Sequence, residues 1–208
     1  VIKYLCSYHR QEPPEALYRK SVLEVGLSHV GYPLAMLPVW WAWDAMGGAS
    51  ATLEWWHWPV HLLAFVLIQD TLFYWSHRML HHKRLFRLIH RKHHEFRHVR
   101  GVSAEYAHPV EDLFCNTLST VAGPLLLGSH ASVVIGYASL KLWQSVDAHS
   151  GLLLPFSPWS VALGMDCARA HDFHHSHNAG NYGGFFMFWD WACGTDAAYK
   201  RHLRAKRD

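Results

Sequence analysis

Apolar residues in this chain fall into long blocks rather than a regular alternation. Residues 22–46 are mostly apolar, interrupted at Pro33 and Pro38, and a second block covers 58–76, with Trp55, Trp56 and Trp58 at its entrance. A helix needs about 20 apolar residues to cross a bilayer, and indole rings gather at the membrane interface. Gly47-Gly48-Ala49-Ser50 supplies a turn between the blocks. The pattern predicts a transmembrane hairpin over 22–76. Glu24, His29, Asp44 and Asp70 lie within it, and the alternative they leave open is a pair of buried core helices. Residues 113–146 are apolar again, with breaks at Gly123-Pro124 and Gly128-Ser129-His130. Two spans there would be short, so a second hairpin, re-entrant or tightly packed, is expected over 113–146.

The polar segments orient this arrangement. Residues 1–20 form a polar lead-in that ends near a helix start. Lys83, Arg84, Arg87, Arg91, Lys92, Arg97 and Arg100 keep the segment after the first hairpin out of hydrocarbon. The chain ends in a second basic run, Lys200, Arg201, Arg204, Lys206 and Arg207. Both runs fall on one side of the hairpins, and the positive-inside bias makes that side cytoplasmic. The expected fold is all-α: an integral membrane helical protein with a histidine-rich, di-metal domain on the cytoplasmic side. At 208 residues the prior is a single domain over 1–208, with its histidine part at 77–208.

Composition narrows the function classes. A formal charge of +3 gives no footprint for nucleic acid. Cys6, Cys115, Cys167 and Cys193 are scattered, which excludes a paired-thiolate zinc site and a disulfide framework. No secretory signal peptide stands at residue 1. There is no G-x-S-x-G elbow, no P-loop and no H-E-x-x-H.

The 19 histidines change the picture most. Three clusters stand out: His77-Arg78-Met79-Leu80-His81-His82, His90-Arg91-Lys92-His93-His94 and His171-Asp172-Phe173-His174-His175. Residues at i, i+3 and i+4 share one helical face. His90, His93 and His94 are therefore expected to project together, as are His171, His174 and His175, with His77 and His81 one turn apart. Neutral imidazole is the commonest protein metal ligand, and an all-imidazole site suits iron, zinc or copper. Eight or more imidazoles exceed the three or four that one zinc-type ion takes, so two metal ions are expected. Asp70 shares a helical face with His77 and is expected to orient a ligand from behind; a hydrogen bond between helices is the alternative. His108 and His149 stand outside the clusters, where an isolated histidine is more often a satisfied polar residue. His9, His29, His57, His61, His98, His130 and His202 read as surface or interfacial residues, and His177 points off the ligand face.

The order H-x3-HH, H-x2-HH, H-x2-HH on a membrane chain resembles the fatty acid hydroxylase/sterol desaturase superfamily, and within it most closely the C4-methylsterol monooxygenases. The resembling stretches are 70–96 (DTLFYWSHRMLHHKRLFRLIHRKHHEF), 101–111 (GVSAEYAHPVE), 145–155 (SVDAHSGLLLP) and 171–196 (HDFHHSHNAGNYGGFFMFWDWACGTD). The resemblance implies an integral membrane oxidoreductase with two iron ions, or zinc in a purified form. It implies O2 as oxidant and electrons relayed from NAD(P)H through cytochrome b5 or its reductase. The implied substrate is a sterol whose C4-methyl group is taken through alcohol and aldehyde to the carboxylate. His77, His81, His90, His93, His94, His171, His174 and His175 match the motif ligands, and His82, His108 and His149 become additional candidates. Whether His81 or His82 binds depends on helix phase. Asp147 and Asp172 join Asp70 as supporting carboxylates. Endoplasmic reticulum residence is implied if the source is eukaryotic. Members of this kind carry a further apolar segment before the equivalent of Val22, so an N-terminal part is expected to be missing from a chain that starts at Val1. The rival readings are sterol C5 desaturation, fatty-acyl hydroxylation, or a metal-binding or transporting membrane protein; a transporter should hold its ligands at the bilayer midplane on broken helices.

Overall fold

The computed structural model describes residues 12–48, 51–152, 157–159 and 167–206, and among these the chain is helical with no strand. Helix α1, Glu15–Ala35, begins directly after Pro13-Pro14, with Glu15 in its first turn and ion-paired to Arg19 at 2.7 Å. It breaks at Met36, and α2 follows over Leu37–Ala45 with Pro38 in its first turn, where a residue without an N–H costs the helix nothing. Together they form a 31-residue unit, Glu15–Ala45, of mean hydropathy 1.3 whose most apolar window buries nothing against the protein. Among the described residues it is the one helix long and apolar enough to cross a membrane.

Helix α3, His57–Leu80, contains the second apolar block. At 24 residues it is about 36 Å long. Its two faces differ. Val60, Leu63, Leu67 and Trp75 are exposed, while Phe65, Gln69, Asp70, Tyr74, His77 and Leu80 are buried. Apart from the adjacent pair Gln69 and Asp70, the inner residues recur every three or four positions, the period of a single helical stripe. That stripe is largely polar, which is why the helix falls short of a simple spanning composition.

After α3 the chain turns through His81 and His82 into α4, Lys83–Leu85. The backbone then widens to a π-turn over Phe86–His90 and narrows to a 3-10 turn over His93–Glu95. Another 3-10 turn, Gly101–Ala104, precedes the short α5, Pro109–Glu111. A second π-turn, Asp112–Thr117, leads into α6, Leu118–Leu127. Gly128 ends α6 at φ 51°, and α7 runs over Ala131–Ala148. The apolar residues 113–146 thus form a helix pair whose members are about 15 and 27 Å long. The C-terminal part carries α8, Cys167–His177, α9, Phe188–Cys193, and α10, Ala197–Ala205.

Among the described residues, helices α3 and α6 make the most extensive pairing. Gly123 permits it, because a Cβ there would meet the Phe65 ring at 2.7 Å and the Phe65 Cα at 3.0 Å. The apolar core is small. Phe65, Val133, Tyr137 and Phe185 join α3, α7 and the loop before α9, while Ala170, Phe173 and Tyr199 join α8 to α10. Eight of the described histidines are buried as well, His90, His174 and His175 among them.

Candidate metal centre

Each candidate histidine owes its direction to a local feature of the backbone. The last two turns of α3 aim His77 and His81 inward, one turn apart. The helix stops at Leu80 with His81 as its C-cap, and His82 swings to an extended conformation at φ −61°, ψ 134° and is exposed. The open choice of phase falls to His81, and His82 stands outside the site. His90 closes the π-turn, and His93 and His94 sit on the 3-10 turn. The segment is no regular α-helix, yet the three rings project together, with centroids 4.6–5.7 Å apart, although His93 belongs to a different group.

Nine imidazoles converge in two groups. His77, His81, His90, His94 and His174 form one, and His93, His149, His171 and His175 form the other, with the ligand-type atoms of each group within 4.8 Å of one another. The second and third sequence clusters are each split between the two: His93 leaves His90 and His94, and His174 leaves His171 and His175. The groups abut, with the His94 ring stacked on that of His175 at 4.5 Å between centroids. His149, the C-cap of α7, enters the four-histidine group at 2.8 Å from His171, Nε2 to Nε2. His108 does not join; as N-cap of α5 its Nδ1 accepts from the Val110 N–H at 3.2 Å. His177 stacks on Phe173 outside both groups. His9 lies outside the described residues.

The ring nitrogens facing away from the centre fix the tautomers. Nδ1 of His77, His93, His149, His174 and His175 lies 2.6–3.1 Å from the backbone carbonyls of Tyr182, Tyr106, Ser145, Gly180 and Phe96. A carbonyl only accepts, so each of these rings carries its proton on Nδ1 and turns an Nε2 lone pair inward. His93 and His149 then face each other, lone pair to lone pair, at 3.4 Å. Nε2 of His81 and His174 is buried without a hydrogen-bond partner. Facing lone pairs repel unless a cation lies between them. Metal–nitrogen bonds of about 2.0–2.1 Å in a tetrahedron place neighbouring nitrogens roughly 3.4 Å apart. The residues present therefore fit a metal ion in each group, and neutral imidazole sets suit iron, zinc or copper.

Electrostatics agree. Burial, and then the neighbouring imidazoles, hold His90, His94, His149, His171, His174 and His175 well below the usual histidine range. Burial likewise takes His81 down to about 2 and His93 to about 4. At neutral pH these rings are uncharged and ready to ligate.

The supporting groups differ from those expected. The carboxylate behind a histidine is Glu111, whose Oε1 lies 2.8 Å from Nδ1 of His90, both buried. Burial pushes its carboxyl up to about 8. It lies 21 positions from His90, a separation that no local spacing rule links to the ring. Asp70 touches no histidine through its hydrogen bonds; it accepts from the backbone N–H groups of Phe185 and Phe186 at 2.8 and 2.9 Å. Asp147 accepts from the Ser157 hydroxyl at 2.7 Å. Asp172 lines a separate cavity with Arg169 and His177. All three aspartates are buried, and the first two act on backbone and hydroxyl groups rather than on ligands.

The loop 180–186 is the other supporting element. Gly180 and Asn181 take φ of 69° and 55°, and the Gly180 and Tyr182 carbonyls receive the Nδ1 protons of His174 and His77. Asp190 clasps the loop by accepting from the N–H groups of Tyr182 and Gly183 and from the Thr195 hydroxyl, at 2.6–2.8 Å. Asp70 holds its far end. The G-N-Y-G, W-D and G-T-D segments of the sequence thus meet in one clasp under the five-histidine group.

An all-helical scaffold that gathers two adjoining sets of buried neutral imidazoles defines a class of helical protein whose histidines are arranged to hold metal. Residues 62–195 match the fatty acid hydroxylase family model, and the chain belongs to that family. A very-long-chain aldehyde decarbonylase of Oryza sativa subsp. indica, GL1-8, is 36% identical over 88% of this chain and 70% of its own length. Methylsterol monooxygenase 2-2 of Arabidopsis thaliana is 36% identical over 88% of this chain and 70% of its own length. Methylsterol monooxygenase 1 of Rattus norvegicus is 39% identical over 70% of this chain, which spans half of that protein. No solved structure matches the chain significantly.

Proposed function

We propose that this protein is a membrane-bound di-iron monooxygenase that oxidises the C4-methyl group of sterol precursors with O2 and electrons from NAD(P)H, relayed by cytochrome b5. The observation that carries this reading is the pair of abutting imidazole groups with inward Nε2 lone pairs, lying beside helices with large exposed apolar faces. His77, His81, His90, His94 and His174 would hold one metal, and His93, His149, His171 and His175 the other. Bound iron supplies O2 activation and the removal of hydrogen from an unactivated methyl group.

The chain's own residues prepare that chemistry. Five backbone carbonyls and Glu111 orient the rings, as outer hydrogen bonds do for metal-bound histidine. The 180–186 loop and the Phe73 side chain border a narrow cavity of about 30 Å³ that reaches His149 and His171, which limits water beside the metals. Leu23, Leu27, Val30, Leu34 and Trp41 are 63–75% exposed on α1 and α2, an apolar surface far beyond that of soluble monomers. This supports placing that helix pair in a membrane; we extend it to a multi-pass protein of the endoplasmic reticulum membrane, with the basic segments and histidines on the cytoplasmic side.

The similarity to the rice aldehyde decarbonylase supports a second reading within the same chemistry, in which the substrate is a long-chain aldehyde. Sterol analysis of membranes expressing the chain, supplied with 4,4-dimethylsterol, NADH and O2, tests the first reading. Loss of the 4-methyl sterol with gain of a 4-carboxy product, absent in His174→Ala, is the expected result. Turnover of a long-chain aldehyde alone, again abolished in His174→Ala, would replace the sterol by the second substrate.

A further inference from the structure

The metal groups leave one cation unexplained. Lys141 sits on α7, which is otherwise uncharged from Ala131 to Val146. A lysine in such a helix is costly unless something answers it. No carboxylate lies within ion-pair distance of it among the described residues, and Glu105 and Asp70 act on its charge only from further away. Its Nζ reaches the Gln144 Oε1 at 3.4 Å and lies 5.6 and 5.7 Å from the ring centroids of Phe73 and Phe185. The Gln144 amide is itself fixed, because its Nε2 donates to the Gly184 carbonyl at 2.9 Å. An ammonium has three donors. One amide oxygen and two aromatic faces leave it short of acceptors.

Its position on the helix gives that shortage a use. Lys141, Gln144, Ser145, Ala148 and His149 follow the i, i+3, i+4, i+7, i+8 spacing of one helical stripe, and all five line the narrow cavity that also touches His171. Ammonium and metal-type imidazoles therefore share one space. Lys141 and Ser145 also line a second cavity of about 250 Å³, walled mostly by polar residues, together with Glu105, Asp112 and Ala138. Ala138 in turn borders a third, of about 130 Å³, walled by Trp40, Trp43 and Tyr137. Along α7 the lining thus passes from aromatic side chains, past a single cation, to histidine.

We propose that Lys141 anchors an oxygen substituent of the lipid substrate, close to the carbon to be oxidised, while the apolar body extends toward the aromatic-walled cavity. The inference rests on the reading of the site as a lipid oxidase and specifies its substrate: an amphipathic lipid with a hydroxyl or carbonyl next to the reacting carbon. In a 4-methylsterol that group is the ring hydroxyl on the neighbouring carbon. Gln144 positions the anchor.

The test is equilibrium binding, measured apart from turnover. Full-length protein in bilayer discs, with its metal content verified, is titrated with radiolabelled 4,4-dimethylsterol and with its 3-deoxy counterpart. The wild type is expected to hold the hydroxylated sterol about tenfold or more tightly, the scale of a hydrogen bond to a charged group. Lys141→Met should bring both sterols to the affinity of the deoxy compound with unchanged metal content, and Lys141→Arg should retain a preference. If Lys141→Met does not fold, Gln144→Leu serves, with a reduced preference expected. Equal binding of the two sterols by the wild type, or by contrast an undiminished preference in Lys141→Met, overturns the proposal. Turnover of the bound sterol in the same discs is read separately: discrimination without oxidation would keep the anchor and remove the proposed reaction.

Discussion

At the scale of single residues, the two imidazole groups make separable predictions. His93 and His94 are adjacent in sequence but belong to different groups. His94→Ala should lose the metal of the five-histidine group and keep the other, and His93→Ala should do the reverse. Metal analysis per chain, expected near one ion in each variant and two in the wild type, checks this; loss of both ions from both variants would show a single inseparable site. Glu111 sets a pH dependence. In metal-free protein its folded carboxyl titrates near 8, against the ordinary 4.5, so the native state holds a proton that the unfolded chain has released. Stability should therefore fall as pH rises from about 6.5 to about 8. Below 6.5 the buried histidines reverse the slope, because the unfolded chain takes up protons that the native rings refuse. Thermal unfolding of apo wild type and Glu111→Gln across this range should show the alkaline slope only in the wild type. Metal on His90 favours its Nδ1 proton and an ionised Glu111, so loading at pH 7 should release about one proton, by calorimetry in buffers of different ionisation enthalpy.

At the scale of elements, irregular and regular backbone both shape the centre. The π-turn at Phe86–His90 and the 3-10 turn at His93–Glu95 place neighbouring histidines in different groups, and the regular helix α8 does the same with His174 and His175 by passing between the two groups. The 180–186 loop depends on Gly180. Its φ of 69° is a left-handed conformation, and a Cβ there would run into the Thr195 carbonyl oxygen. Gly180→Ala should destabilise the protein by more than about 1 kcal/mol. By shifting the acceptor of His174 it should also weaken metal binding in the five-histidine group by about tenfold to a hundredfold, with the other group unaffected. Competitive chelation, monitored for each site, measures the difference. Gly123→Ala makes a purely structural contrast: it should lower the melting temperature by forcing α3 and α6 apart, with both metal affinities unchanged in whatever protein remains folded.

At the scale of the whole molecule, the apolar surface and the polar interior lie in inverse order to a soluble protein. Trp41 is 73% exposed while His174 and His175 are fully buried. A cysteine introduced at Trp41 should be shielded from a membrane-impermeant thiol reagent in intact vesicles, and one at Arg97 should be labelled only from the cytoplasmic face. Equal labelling of both positions would place the exposed helix in water and refute the spanning arrangement.

The sequence by itself determined the helical class, the long apolar block at 22–46 and the histidines to watch. Local pattern suffices for these, because helical periodicity and ligand chemistry are properties of neighbouring residues. Nine of the eleven histidines singled out lie in the two groups; His82 and His108 do not, because a helix end and a capping role turn them away. Only the tertiary structure decided which histidine belongs to which group. That sorting depends on how separate segments meet, as where the Phe96 carbonyl receives the Nδ1 proton of His175. Glu111 behind His90, the Asp190 clasp and the place of Lys141 beside His149 and His171 likewise arise from contacts between separate segments. Their physical basis is the burial of polar groups that must find partners wherever the fold brings them.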